Sequence, residues 1–146
     1  MGKIRTLRNT IKDIIVENDL VPESRIKLGY NVFADTGNVD FLNNLQIDGY
    51  YVVIHKGHSP KRDNFTGAKE IEIKVTLYYG FNKNEDYTYE DVQDTIEEIE
   101  DAILLEENWD DISNPPKDVS TEETNLTTDS TVIAKSVDMT FTWETV

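Results

Sequence analysis

Hydrophobic and polar positions alternate without a break from Glu70 to Tyr79. Ile71, Ile73, Val75, Leu77 and Tyr79 are set against Glu70, Glu72, Lys74, Thr76 and Tyr78. A period of two carried by β-branched and aromatic residues predicts a strand with one buried face and one wet face. Gly80 and Asn82–Asn84 interrupt it, and the pattern then changes to a helical one over Thr88–Glu107. Thr88 is placed as the N-cap, and Asp91, three residues on, is a shortened capping-box acid. Tyr87 and Val92 stand where a hydrophobic staple closes. Val92, Ile96, Ile99, Ile103 and Leu104 return at helical spacing, one apolar stripe on an otherwise acidic helix. The same spacing of Ile4, Leu7, Ile11, Ile14 and Ile15 predicts an amphipathic helix over Ile4–Val16, ending near Asn18 and Asp19, with Pro22 as its stop.

Three further strands follow from pattern. Ile26–Ala34 is short and carries Tyr30 and Phe33. Asp48–Ile54 is a continuous apolar run, which predicts a central strand covered on both faces. At the C-terminal end Val137, Met139, Phe141 and Trp143 alternate with Asp138, Thr140, Thr142 and Glu144. Asp35–Asn38 is a turn by composition; it lacks the regular oxygen ligands and closing glutamate of a calcium loop. Lys56–Lys69, punctuated by Gly57, Pro60 and Gly67, predicts a projecting hairpin arm. Residues 108–131, with Pro115 and Pro116, predict a long polar loop holding a short strand near Asp110–Ser113. The expected fold is a single α+β domain over residues 1–146: a mostly antiparallel β-sheet packed against two main helices, with a long β-hairpin arm. Its expected core is Ile11, Ile14, Val52, Ile73, Val75, Ile96, Ile99, Ile103, Met139 and Phe141.

Composition narrows the chemistry. A chain of 146 residues is about one domain long. Zero cysteines exclude disulfides, thiolate catalysis and cysteine-type zinc sites, and two histidines leave little for a histidine-rich metal site. A net charge of -15 argues against binding nucleic acid by phosphate neutralisation. No apolar run reaches the length of a membrane span, and the first residues lack the apolar core of a signal peptide, so a soluble protein is expected.

Candidate sites are few. His58 and Ser59 are neighbours, but no acidic residue is placed to orient a triad, and no catalytic, cofactor or metal residue is assigned. Met1–Thr6 fits a loose myristoylation pattern, against which Ile4 and Leu7 are needed by the core. Asn64 and Asn125 head glycosylation sequons that carry no meaning without a secretory signal. Two charged regions stand out instead. Lys3, Arg5, Arg8 and Lys12 line the polar face of the first helix, and Lys56–Lys69 is basic in an acidic chain. Between Asn84 and Pro115 there is no Lys or Arg, and Glu97, Glu98, Glu100, Asp101, Glu106, Glu107, Asp110 and Asp111 accumulate. The plain reading of both is a solvated face. Like charges every three or four residues weaken a helix, so the acidic run is easier to understand with a basic surface opposite it.

The order of elements resembles the tail-terminator, or tail-completion, proteins of long-tailed bacteriophages. The elements that carry the resemblance are the Ile4–Val16 helix, the Asp48–Ile54 strand, the Glu70–Tyr79 strand, the acidic helix after Asp86-Tyr-Thr88, and the closing Asp138–Glu144 strand. The family has no catalytic signature, so the resemblance implies a structural virion protein and no enzyme. It implies a ring, usually a hexamer, that caps the tail tube, ends tube polymerisation and offers a docking surface to the head or neck connector. The partners implied are other copies of the chain, the tail tube protein, the connector and, in a contractile tail, the sheath protein. DNA would pass through without specific binding, and the place of action would be the virion, assembled in the host cytoplasm. A neck or head-completion protein is the nearest alternative, and a small acidic DNA mimic is the alternative of another class. Under the ring reading Lys56, His58, Lys61, Arg62, Phe65, Arg5 and Arg8 are expected at the subunit or tube interface. Glu97, Glu98, Asp101, Glu106 and Asp110 are expected to face the channel, since the acids outnumber the bases too heavily for pairing to consume them; pairing with bases of an adjacent copy is the competing role.

Overall fold

In the computed structural model the described residues are 3–28, 49–62, 69–80, 89–109, 114–125 and 134–145. They form helix α1 (Lys3–Glu17), strands β1 (Ile26–Leu28), β2 (Tyr50–Ile54), β3 (His58–Arg62) and β4 (Lys69–Gly80), helix α2 (Tyr89–Leu104), and strands β5 (Asp118–Asn125) and β6 (Ala134–Thr145). The architecture is α+β: one six-stranded, mostly antiparallel sheet in the order β1-β2-β4-β6-β5, with β3 also paired to β4.

The alternating strand predicted from the sequence is the axis of the sheet. β4 pairs with β6 along its whole length, from Lys69 opposite Thr145 to Gly80 opposite Ala134. On its other side β3 takes the first residues, Lys69 to Glu72, and β2 takes the last, Val75 to Tyr79. The predicted buried phase holds: Ile71, Ile73, Val75, Leu77 and Tyr79 of β4 and Val137, Met139, Phe141 and Trp143 of β6 are all buried. Leu7, Ile11, Ile14 and Ile15 of α1 and Val92, Ile99 and Ile103 of α2 join them in one core. Nine of the ten expected core residues are buried and the tenth, Ile96, is half-buried against the same cluster.

Each helix end is closed by its own device. At the end of α1 the amide of Leu20 donates to the Ile15 carbonyl and that of Asp19 to Val16. This is a Schellman turn, with Asp19 at φ 55° in the left-handed seat that glycine usually takes. Pro22 therefore lies beyond a helix that has already ended. α2 stops at Leu104, short of the expected Glu107, and a 3-10 turn over Glu106–Asn108 follows. Its last carbonyls are satisfied by side chains: Asn108 Nδ2 donates to Ala102 at 2.8 Å and the Trp109 indole N–H to Ile103 at 2.7 Å. Trp109 stacks edge-on against Trp143 with ring centroids 5.9 Å apart, which ties the helix end to β6.

Several expectations are corrected. Residues 108–131 are not a loop throughout, because Asp118–Asn125 is a strand in register with β6 from Asp118↔Thr142 to Asn125↔Lys135. Apart from Val119 its residues are polar on both faces, which hides a strand from any test of alternation; Val119, Thr121 and Thr124 supply the β-branching. The wet face of β4 is not wet at its far end, where Thr76 and Tyr78 are buried. The expected hairpin is seen in its strands, His58–Arg62 pairing with β4 with a register shift between His58 and Lys61, while residues 63–68 lie outside the described ones. Of the Ile26–Ala34 strand Ile26–Leu28 is seen, parallel to β2. Phe33, the Thr88 cap, the Tyr87 staple and the Asp110–Ser113 strand lie outside the described residues. No described helix is long and apolar enough to cross a membrane.

Replacing Ile99, fully buried between helix and sheet, with Ala should lower unfolding free energy by roughly 2–5 kcal/mol. Ile96→Ala, at a half-buried position, should lower it less. Urea denaturation of both variants measures the two effects, and an Ile99 change of a few tenths would reject this packing.

Candidate functional site

The helix layer has a left and a right. α1 lies over the β2–β3 side: Gly57, at φ 78° between those strands, sits so near α1 that a Cβ there would come within 2.9 Å of Ile4 Cγ2 and 3.0 Å of Ile73 Cγ1. α2 lies over the β5–β6 side, where Glu100 accepts a hydrogen bond from the Thr121 hydroxyl. The two charged regions read from the sequence consequently sit on opposite flanks of the molecule.

The basic flank gathers α1, β1 and β3. Lys3 and Arg5 are exposed, while Arg8 is half-buried, its Nε enclosed with no hydrogen-bond partner among the described residues. Part of the Arg8 guanidinium is thus drawn into packing. Lys12 pairs with Glu23 at 3.0 Å, and Lys27 of β1 is exposed. Lys56 is exposed, His58 is exposed with Nε2 3.4 Å from Glu72, and Lys61 and Arg62 occupy β3 opposite Glu70 and Lys69. Phe65 lies outside the described residues.

The acidic flank gathers α2 and β5. α2 has no Lys or Arg among its 16 residues. Glu97, Glu98, Asp101 and Glu106 are exposed, and none has a cation within ion-pair distance among the described residues. Asp110 lies outside them. At about 100° per residue, Glu97 and Glu100 fall on the side of α2 that meets β5, Asp94 and Asp101 point away from the sheet, and Glu98 falls on the other side. Between α2 and β5 runs an open groove of about 400 Å3, with Val92, Ile96 and Val137 as its floor and Glu97, Glu100 and Glu123 at its rim. Glu123 already has Lys135 at 3.3 Å. The expected channel acids are therefore not one surface but several.

A third grouping was missed in the sequence. On the sheet face opposite the helices, the Thr76 hydroxyl donates to Asp138 Oδ1 at 2.7 Å and lies 2.8 Å from His55 Nε2. A carboxylate can only accept, so the single Thr76 proton goes to Asp138 and His55 must donate from Nε2. The threonine is thus turned away from nucleophile chemistry. Lys74 stands 3.9 Å from Asp138 on its other side. Burial, and then Lys74, lower the His55 pKa, with Asp138 opposing; burial and then Asp138 push Tyr78 up to about 12. His55, His58, Glu72, Lys74 and Thr140 line a depression of about 340 Å3. No group of three His, Asp or Glu that could hold a metal ion occurs among the described residues. The signal that would have found this cluster is register, since Thr76 pairs with Val53 on one side and Asp138 on the other.

His55 has a lower pKa folded than unfolded, so folding favours its neutral form. That contribution is complete above about pH 6.5 and is lost as pH falls below it toward the folded pKa. The melting temperature should therefore fall between pH 7.5 and 5.5, and fall less in His55→Gln, whose amide keeps a donor for Thr76. Equal slopes would assign the titration elsewhere. No protein-family model and no curated protein sequence matches this chain.

Proposed function

We propose that this chain is a structural subunit that associates head to tail with its own copies, in a ring that caps the tail tube of a long-tailed bacteriophage. What supports the reading is the resemblance in element order together with one observation: basic groups collect on the β1–β3 flank and acidic groups on the β5 flank. A surface of one sign opposite a surface of the other is the condition for a heterologous contact, which closes into a ring when the rotation per subunit allows. Among the described residues no ion pair joins the bases of α1 to the acids of α2, so both sets remain available to a neighbouring copy.

The acids divide between the two roles considered for them. Glu97 and Glu100, beside β5, are placed to meet the bases of a neighbour, whereas Asp94 and Asp101, pointing away from the sheet, are available to a channel wall that repels DNA. On this reading the chain works in the virion, assembled in the host cytoplasm, with the tube protein below it and the connector above. A neck protein would share the ring and differ in the neighbours it contacts.

Native mass spectrometry across a salt series tests the reading. Rings should be present at low salt and decline as salt rises, because exposed pairs contribute only about 0–1 kcal/mol each and several must act together. Glu97→Lys should reduce rings, while Asp101→Asn should leave or increase them. A monomer at every salt and concentration that competes with DNA for a basic protein would replace this function with DNA mimicry.

A further inference from the structure

We infer that the outer edge of β5 is an assembly strand, and that its partner is β1 of a second copy, paired antiparallel so that one sheet continues into the next. The inference deepens the ring reading and rests on it only in requiring that copies associate, whatever they cap.

β5 is the last strand of the sheet on its side and β1 the last on the other, and among the described strands each has a single neighbour. The two ends are managed differently from β3. That strand carries Pro60, which has no N–H to donate, and a register shift, both devices that blunt an edge. β5 has neither: its eight residues run in unbroken register with β6, and among the described residues nothing pairs with the regular row of main-chain donors and acceptors on its outer side. Its protection is charge of one sign, in Asp118, Glu122 and Glu123. Pairing of two β5 strands would set carboxylates against carboxylates, so the edge rejects its own like and accepts a basic strand.

β1 supplies one. Lys27 is exposed there, and Leu28 is among the few large hydrophobic side chains left exposed, at 39 %. The strand directions also agree. β1 is parallel to β2, and β4, β6 and β5 then alternate, so a second copy in the same orientation brings its β1 antiparallel to β5. Its helix layer stays on the same face, which puts its basic α1 beside the acidic α2. Lys27 and Glu122 both belong to the face away from the helices, by the chain of pairings Lys27↔Val53↔Thr76↔Asp138↔Glu122. Main-chain pairing and charge complementarity are met by one placement.

The absence of cysteine gives cross-linking a clean background. Lys27→Cys and Glu122→Cys, combined in one chain and treated with a short bismaleimide, should give a ladder of covalent multimers, and each substitution alone should give none. Dimers from either single variant would mean like edges meeting and overturn the inference. No ladder, in a double variant that still forms the assemblies of the unsubstituted chain by native mass spectrometry, would overturn the strand contact and leave the ring reading standing. A chain monomeric at all concentrations would overturn both. Proline at 122 and at 123 gives a second test, because consecutive N–H groups point to opposite sides of a strand. Of Glu122→Pro and Glu123→Pro, the variant that keeps the parent melting temperature has lost only the outward N–H and should no longer assemble; normal assembly by that variant would reject the pairing.

Discussion

The pairing of β4 with β6 is the constraint from which the remaining geometry follows. Because the two strands stay in register over their full length, the side chains of both alternate in step, and a single slip would turn the whole core face outward. Twelve-residue strands are long for a domain of this size. They give the helices a platform wide enough for two side by side, and this is what separates α1 from α2 and hence base from acid. The shared far side of β4 then divides between β3 and β2, which puts His58–Arg62 in the sheet.

What was legible in the sequence was whatever one strong period could carry. The phase of β4, the phase of β6 and the stripes of both helices were all visible, because each buries one face and wets the other. β5 was illegible for the same reason in reverse. Asp118–Asn125 has almost nothing to bury, and an edge strand whose stability comes from hydrogen bonds to β6 leaves no hydrophobic signature. Trp109 was missed because helix ends are usually read from glycine and proline, and here an indole N–H does the closing. The cluster of His55, Thr76 and Asp138 joins two strands and the residue just past the end of β2, and nothing local in any of them announces it. The charged surfaces were legible as composition, but not their division among flanks, which depends on which helix lies over which strand.

That cluster also explains why the second face of β4 is not simply wet. A buried threonine needs partners for its hydroxyl, and Thr76 has two, one to give to and one to take from. Such a pair of bonds fixes the His55 tautomer at Nε2. The cluster is best understood as the means by which a sheet covered on one face by helices keeps polar order on the other. Lys117 does similar work at the opposite end, held between Glu70 and Glu144 at 3.4 and 3.2 Å.

The two tryptophans, Trp109 and Trp143, are the whole indole content of the chain, and they touch. Tryptophan emission therefore reports a single locality: the junction of the α2 end with β6, where Trp143 also donates to the Asn114 carbonyl at 2.9 Å. Tryptophan emission, excited beyond the tyrosine band, is blind to events at α1, β1 or the β2–β3 corner, except when they reach that junction. A change in that emission reports on the contact of the acidic helix with β6, and a spectroscopist following it would be watching one side of the helix layer while the other stayed dark.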